Sequence, residues 1–191
     1  IFPSKNLENI VNSYKENKTC LDMNINQNTM YICRKYLNSN IFKNNINKKL
    51  LCIQSEKGTG KTVNLLNAIF KNNNTPESVL FISSRRSFGL KLSGDLTKYG
   101  FRLYSEIKEH YISDKRVICQ VDSLMRLDRD DFDIVIIDEC ESLARYLTSS
   151  HFTKNNKAST IVSNLEYRVA EAKKLIIMDA DLSDRCVNYY T

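Results

Sequence analysis

The chain has 191 residues, of which 42% are hydrophobic and 26% are charged, and this balance is typical of a globular domain with one sizeable core. No stretch approaches 18 consecutive apolar residues, which excludes a membrane-spanning helix. The first residue is Ile1 and no signal-peptide pattern follows, so we expect the chain to be a piece of a longer protein.

The net charge of +6 is unevenly distributed along the sequence. Residues 1–50 carry 8 Lys and Arg against 3 Asp and Glu, a difference of +5, which leaves +1 for the rest. A basic segment attracts the phosphates of nucleic acid, although a solvated surface rich in Lys and Asn explains the same charge.

Six cysteines show no C-x-x-C pair and no histidine at metal-ligand spacing. Such thiols are typical of a reducing compartment and of buried, structural positions rather than of a metal site. The sequence therefore predicts an intracellular protein. The cysteines are Cys20, Cys33, Cys52, Cys119, Cys140 and Cys186.

Residues 1–49 show weak helical spacing over 7–14 and 31–42, separated by Asn-rich connectors. We expect an N-terminal helical extension that packs on the edge of the main domain. A nucleotide base needs a stacking partner, and Tyr31 or Tyr36 can supply one; core packing is the alternative for either side chain.

From residue 50 the pattern alternates between strand and helix, which is typical of an open parallel sheet. The predicted strands are 50–53, 79–83, 102–104, 117–119, 134–137 and 175–178, and the predicted helices are 63–72, 88–99, 141–147 and 157–172. We therefore expect residues 50–191 to form an α/β domain of three layers, with a central parallel sheet and helices on both faces. Ligands of such sheets bind beyond the carboxyl ends of the strands.

A phosphate-binding loop follows the first predicted strand, with the sequence Ser-Glu-Lys-Gly-Thr-Gly-Lys-Thr over residues 55–62. Glycines allow consecutive N–H groups to turn inward, and the start of the next helix adds a positive dipole. In this pattern Lys61 reaches the β- and γ-phosphates and the Thr62 hydroxyl binds Mg²⁺. A serine stands where the first glycine is usual. The predicted contacts are Ser55, Gly58, Thr59, Gly60, Lys61 and Thr62.

An acidic pair, Asp138 and Glu139, follows the apolar strand 134–137. Asp138 is placed to hold Mg²⁺, directly or through water. Glu139 can orient the water that attacks the γ-phosphate or accept its proton. Lys61, Asp138 and Glu139 are therefore the predicted catalytic residues.

Polar side chains also follow two other strands. Ser84, Arg85 and Arg86 suit a phosphodiester backbone, although a serine can instead cap the next helix and the arginines can pair with acids. Gln120 and Ser123 can bond sugar or phosphate oxygens, and Asp122 or Ser123 can equally cap a short helix.

Asp179 and Asp181 follow the last predicted strand. They can link the state of the phosphate to movement by a hydrogen bond to Glu139 or to a neighbour. The alternative is that both aspartates are simple turn residues.

Taken in this order, the stretches resemble the first RecA-like lobe of superfamily 2 helicases. Residues 55–62 resemble motif I, "SSRRS" motif Ia, "CQVDSL" motif Ib and "DECES" motif II, whereas "MDADL" stands at motif III. The set is most similar to the herpesvirus-type origin-of-replication-binding helicases of large DNA viruses, and the resemblance covers about residues 50–185.

The resemblance implies that Lys61 and Thr62 bind Mg-ATP, that the Ia and Ib positions contact one DNA strand, and that Glu141, Asp179 and Asp181 couple hydrolysis to motion. Glu141 departs from the usual His or Asp of motif II, and two aspartates replace the hydroxyls of motif III. The implied partners are DNA, a second helicase lobe of the full-length chain and other replication proteins, without a membrane. The implied location is the host-cell cytoplasm or nucleus.

We therefore expect the ATP-binding lobe of a DNA helicase or translocase. The alternatives are a P-loop phosphotransferase, for which no Arg-rich lid is apparent, and a non-catalytic DNA-binding module with a vestigial loop. No stretch supplies an arginine finger, so we expect this chain alone to bind nucleotide weakly and to hydrolyse it very slowly.

Overall fold

The computed structural model describes residues 36–43, 48–71, 75–84, 93–94 and 96–190. The strands in these ranges are β1 (Leu50–Gln54), β2 (Val79–Ser83), β3 (Arg102–Leu103), β4 (Arg116–Gln120), β5 (Ile134–Asp138) and β6 (Lys174–Asp179). The α-helices are α1 (Ser39–Lys43), α2 (Lys61–Phe70), α3 (Cys140–Leu147), α4 (Ser150–Thr153), α5 (Ala158–Glu171) and α6 (Asp184–Tyr190). Two 3₁₀ helices cover Thr97–Tyr99 and Val121–Arg126.

The six strands form one sheet in the order β1-β6-β5-β2-β4-β3, and every pairing is parallel. All five residues of β2 and of β5 are buried. Successive side chains of a strand point to opposite faces, so both faces of the sheet are covered at its centre. The predicted α/β class with a parallel sheet between helices is confirmed.

The strand order explains how distant parts of the sequence meet. β1 has β6 as its neighbour, and β6 lies between β1 and β5. Because parallel strands end at the same edge of a sheet, the loop after β1 lies beside the ends of β6 and β5. Those ends carry Asp179 and Asp138, respectively.

Some strand boundaries differ from the sequence prediction. β5 includes Asp138 and β6 includes Asp179, because main-chain pairing continues one residue past each apolar run. β4 gains a residue at each end, whereas β3 is one residue shorter than predicted. Hydrogen bonds of a ladder use main-chain groups, so the polarity of a side chain does not end a strand.

The helices show larger differences. The structure adds α4 and α6, which the sequence pattern did not indicate, and α3 begins one residue earlier than predicted. Half of the predicted helix 88–99 lies outside the described residues. Residues 93, 94 and 96 are helical, and the last part, Thr97–Tyr99, is a 3₁₀ helix. Helices this short depend on tertiary packing more than on their own sequence. No described helix has the length and apolarity needed to cross a membrane.

The predicted division between residues 1–49 and 50–191 stays a prediction, since most of the first segment lies outside the described residues. Within the described part, α1 contacts α2. The Leu37 N–H donates to the Thr59 carbonyl (3.0 Å), and Asn64 Nδ2 donates to the Leu37 carbonyl (2.9 Å). The end of the extension therefore lies directly against the predicted phosphate loop.

One carboxylate joins the beginnings of three strands at the opposite edge of the sheet. Asp133 Oδ2 accepts hydrogen bonds from the N–H groups of Glu77 (2.8 Å) and Ser78 (3.0 Å), just before β2. Asp133 Oδ1 accepts from Lys173 Nζ (2.7 Å), just before β6. Asp133 itself directly precedes β5, so its carboxylate links the segments at which β2, β5 and β6 begin.

Candidate functional site

The loop between β1 and α2 has the backbone shape of a phosphate-binding loop. Gly58 has φ 81° and Gly60 has φ 78°, in the left-handed region that disfavours other residues. A Cβ at Gly60 would also lie 2.8 Å from Asn64 Nδ2. Gly60 immediately precedes the first turn of α2, whose free N–H groups favour an anion.

Side-chain hydrogen bonds hold this loop closed on itself. Ser55 Oγ and Thr59 Oγ1 are 2.6 Å apart, and Thr59 Oγ1 also donates to the Glu56 carbonyl (2.9 Å). Because the Thr59 proton is used there, Ser55 donates to Thr59. Lys61 Nζ donates to the Ser55 carbonyl at 2.8 Å. The serine that replaces the usual first glycine therefore takes part in the loop structure.

The loop meets the acidic pair through a hydrogen bond between residues 76 positions apart. Thr62 Oγ1 donates to Asp138 Oδ2 at 2.8 Å, and the Glu139 N–H donates to Asp138 Oδ1 at 2.9 Å. Burial raises the pKa of Asp138, while the Thr62 hydrogen bond and the charge of Lys61 oppose that rise. The structure thus brings Lys61, Thr62 and Asp138 together at one edge of the sheet.

The chemistry of these oxygens suits magnesium. Mg²⁺ prefers hard oxygen ligands and takes one or two from protein, completing its shell with water and substrate phosphates. The Thr62 hydroxyl and Asp138 Oδ2 supply such a pair beside the loop. Among the described residues no group of three or more His, Cys, Asp or Glu forms a complete metal site. The residues therefore fit an ion that arrives together with a nucleotide.

Glu139 has an unusual backbone conformation. Its φ of 54° and ψ of 48° are left-handed, and among the described residues it is the sole non-glycine residue with positive φ. Such a conformation costs of order 1–3 kcal/mol and is frequent at functional positions. It places the half-buried Glu139 at the start of α3, and no sequence pattern indicated it.

The predicted coupling residues form a buried network. Asp179 Oδ2 accepts from the Glu141 N–H (2.9 Å), and Oδ1 accepts from the Asp181 N–H (3.0 Å). The Asp179 carbonyl accepts from the Ser55 N–H (3.1 Å). Asp179 therefore contacts the phosphate loop and Glu141, which lies two residues after Glu139, whereas the exposed Asp181 joins through its main chain.

Glu141 also has a partner that sequence reasoning missed. Glu141 Oε1 accepts from both the N–H (2.9 Å) and the hydroxyl (2.6 Å) of Ser183. Glu141 is 5% exposed, and a buried charge requires such donors. Ser183 lies 42 residues away in the sequence, so no local spacing could have indicated it.

The predicted nucleic-acid contacts are described in part. Arg85 and Arg86 lie outside the described residues, and Ser84 is 8% exposed at the end of β2. Gln120 ends β4, and Ser123 is half-buried in the 3₁₀ helix Val121–Arg126.

The alternative that Asp122 or Ser123 caps this 3₁₀ helix is wrong. The N-cap residue, which precedes the helix, is Gln120, and no side-chain oxygen accepts a capping hydrogen bond there. Asp122 Oδ2 instead accepts from Gln120 Nε2 (2.9 Å), and both Asp122 oxygens lie 2.8 Å from the Tyr146 hydroxyl. Bonds to other side chains thus occupy the carboxylate.

Tyr36 is the candidate base-stacking residue that the structure describes, since Tyr31 lies outside the described residues. Tyr36 is 62% exposed, so the core-packing alternative is wrong for this residue. The next residue, Leu37, is bonded to the phosphate loop through Thr59 and to α2 through Asn64.

The described cysteines are structural. Cys119, Cys140 and Cys186 are buried, Cys52 is half-buried, and all four are free thiols. Burial raises the pKa of Cys52 to about 11 and that of Cys119 to about 12, which suppresses the reactive thiolate. Cys20 and Cys33 lie outside the described residues.

Similar proteins come from large DNA viruses. A putative helicase of Acanthamoeba polyphaga mimivirus is 32% identical over 170 residues, which cover 83% of this chain and 16% of the relative. The replication origin-binding protein of human herpesvirus 6A is 30% identical over 149 residues, covering 76% of this chain and 18% of the relative. The chain therefore spans less than a fifth of the length of these relatives.

A solved structure shares the fold. The S. cerevisiae protein Dbp5, solved bound to Nup159, Gle1, IP6 and ADP, matches 74% of this chain and 40% of its own with a TM-score of 0.50. Their sequence identity is 14%, so this likeness concerns the RecA-like fold.

The family model described as "Origin of replication binding protein" matches residues 23–191, which include all five motifs discussed above. The sheet order and the hydrogen bond between Thr62 and Asp138 bring the phosphate loop and the acidic pair to one edge of the sheet. The chain belongs to the family of viral origin-of-replication-binding proteins.

Proposed function

We propose that this chain is the ATP-binding lobe of a DNA helicase or translocase that acts in viral genome replication. The observation that carries the proposal is the 2.8 Å hydrogen bond between Thr62 of the phosphate loop and Asp138 of the acidic pair. It joins the two parts that a nucleoside-triphosphatase needs. The names of the relatives, a putative helicase and a replication origin-binding protein, support the same role.

The phosphate loop binds the triphosphate of ATP. The left-handed Gly58 and Gly60 let main-chain N–H groups face the anion, and the start of α2 adds its dipole. Lys61 Nζ, which lies over the loop on the Ser55 carbonyl, donates to the β- and γ-phosphate oxygens. Ser55 and Thr59 maintain the shape of the loop through their paired hydroxyls.

Thr62 and Asp138 are the residues that hold magnesium. When bound, Mg²⁺ neutralises the charge that develops on the β- and γ-phosphates. Asp138 must be ionised for this role, and burial opposes ionisation. The Thr62 hydrogen bond and the nearby Lys61 charge favour the carboxylate form and offset part of the rise that burial causes in the pKa of Asp138.

Glu139 orients the attacking water and accepts its proton. Its left-handed backbone places it at the start of α3, next to Asp138. Glu141, Asp179 and Asp181 transmit the state of the γ-phosphate. In this network Asp179 contacts both the phosphate loop and the main chain of Glu141, so a shift at either site changes the other.

Nucleic acid binds along the same edge of the sheet, farther toward β3. We assign contacts with the backbone of a single DNA strand to Ser84, Arg85, Arg86, Gln120 and Ser123.

A second lobe of the full-length chain closes over the nucleotide and supplies an arginine finger, and other replication proteins join the assembly. Tyr36 stacks on the base. The site of action is the host-cell cytoplasm or nucleus.

The test is the ATPase activity of the full-length protein with and without single-stranded DNA. DNA-stimulated hydrolysis supports the proposal. Activity that requires a small acceptor would indicate a phosphotransferase instead, and a complete lack of turnover would indicate a DNA-binding module with a vestigial loop.

Lys61→Ala tests the site itself. The substitution removes the phosphate-binding ammonium, so we expect kcat to fall by roughly 10²-fold or more, in line with the loss of one transition-state donor. Single-stranded DNA binding without nucleotide should stay unchanged. Lys57→Ala is the matched control, because Lys57 is an exposed lysine of the same loop. Equal turnover in the two variants would refute the assigned nucleotide site.

A further inference from the structure

Four side chains form a continuous hydrogen-bonded chain behind the predicted nucleic-acid edge. The Tyr104 hydroxyl donates to Gln120 Oε1 (2.7 Å), and Gln120 Nε2 donates to Asp122 Oδ2 (2.9 Å). The Tyr146 hydroxyl donates to the Asp122 carboxylate, with both oxygens at 2.8 Å. Tyr146 therefore closes a network that fixes the orientation of Gln120.

Tyr146 belongs to the helix that begins at the acidic pair. It lies in the last turn of α3, whose first residue, Cys140, follows Glu139 directly. Eight helical residues span about 12 Å, and one short helix of this length behaves as a rigid rod. The two ends of α3 thus contact different sites.

The first turn of α3 is fixed to the nucleotide side. The Glu141 N–H donates to Asp179 Oδ2, and the Glu141 carboxylate accepts from Ser183. Asp179 also contacts the phosphate loop through its carbonyl. A displacement of this region therefore moves α3 as a unit, together with Tyr146.

The last turn of α3 is fixed to the nucleic-acid side through the Tyr146 hydroxyl. The Tyr146 ring packs on Phe152 with centroids 5.2 Å apart, which leaves the hydroxyl aimed at Asp122. A hydrogen bond to a carboxylate is stronger than one between neutral groups. The side-chain carbonyl of Gln120 accepts a hydrogen bond from Tyr104, and one hydrogen of its amide is donated to Asp122. The second amide hydrogen can therefore be donated to a phosphate oxygen of DNA.

We propose that Tyr146 is a positioning residue that couples ATP hydrolysis to DNA binding. This inference rests on the proposed function and deepens it. A movement of α3 that accompanies loss of the γ-phosphate shifts Asp122, and Asp122 reorients Gln120 against the DNA backbone. Coupling between two binding sites is reciprocal, so DNA bound at Gln120 acts back on the acidic pair through the same residues.

The test is Tyr146→Phe in the full-length protein, which removes one hydroxyl and keeps the ring on Phe152. We expect single-stranded DNA to stimulate the variant at least about fivefold less than the wild type, the lower end of typical allosteric couplings. The rate without DNA and the KM for ATP should stay within about twofold. The difference in DNA affinity between the ADP state and a non-hydrolysable ATP state should also shrink, because that difference is the coupling free energy itself.

Tyr189→Phe is the matched control. Its hydroxyl donates to the carboxylate of Glu166 (3.2 Å) in a half-buried setting on α6 and α5. The variant loses a similar bond outside the proposed path, so it should keep full DNA stimulation. An equal loss of stimulation in both variants would show a general loss of stability and would overturn the proposal.

A double substitution separates a path through Asp122 from other effects. If Tyr146 acts through Asp122, Tyr146→Phe should not reduce stimulation further in an Asp122→Ala background. Additive losses would overturn this path. If DNA does not stimulate the ATPase activity of the wild-type protein, the proposed function itself is refuted. If DNA stimulates the wild type and Tyr146→Phe to the same extent, the coupling role of Tyr146 alone is refuted.

Discussion

At the scale of single residues, the phosphate loop depends on the backbone angle of Gly60. Its φ of 78° lies in the left-handed region, and the Asn64 amide stands where a Cβ would be. That amide is held in place by hydrogen bonds to the carbonyls of Leu37 and Gly60. The Asn64 amide therefore links the first turn of α2 to the loop and to the segment before α1.

Gly60→Ala should destabilise the chain and weaken nucleotide binding. A left-handed L-residue costs about 1–2 kcal/mol, and displacing Asn64 adds to this cost. Urea unfolding of the 191-residue chain measures the change, and coincident transitions by two spectroscopic probes check that unfolding is two-state. Gly94→Ala is the control: Gly94 is helical, and a Cβ there meets nothing within 4 Å. If Gly60→Ala left the free energy of unfolding unchanged, the loop would be able to relax freely around the added methyl group.

At the scale of elements, the sheet begins at a shared carboxylate. Burial alone would raise the pKa of Asp133, but the hydrogen bonds from Lys173, Ser78 and Glu77 outweigh it, so the pKa lies below its usual range. A lowered pKa stabilises the folded state above the unfolded value of about 3.9. This stabilisation is lost as the pH falls through the folded value.

Asp133→Asn should therefore lower the free energy of unfolding by about 1–3 kcal/mol at pH 7, the worth of hydrogen bonds to a charged acceptor. The difference from wild type should begin to shrink below about pH 4 and should vanish below the lowered pKa of folded Asp133, where the wild-type carboxyl is also neutral. Urea unfolding at several pH values measures both effects. Asp114→Asn, which removes a pair with the half-exposed Arg102, should cost less than about 1 kcal/mol. A pH-independent difference would contradict this explanation.

The elements also show what the sequence can and cannot predict. Apolar runs rich in β-branched residues correctly predicted the strands, because burial on both faces leaves a local pattern. Short helices such as α4 and α6 leave no such pattern. The partners of Glu141 and Tyr146, 42 and 24 residues away, arise from strand order, which local spacing does not encode. The left-handed Glu139 likewise depends on how β5 meets α3.

At the scale of the whole molecule, the core shields its thiols. Cys119 is fully buried with a pKa of about 12, and Cys52 is half-buried with a pKa of about 11. We expect iodoacetamide at pH 8 to leave Cys119 unmodified in the folded chain and to modify it within minutes in guanidinium. Peptide mass spectrometry can follow each site. Rapid modification of Cys119 without denaturant would show that the core opens locally.

The position of β6 has a consequence for how this protein is made. β1 pairs with β6 alone among the described strands, so the first strand has no neighbour until the last one is present. A ribosome releases residues 174–179 after the phosphate loop and the pair Asp138 and Glu139 have already emerged. Competence to bind nucleotide is therefore acquired only after β6 has emerged.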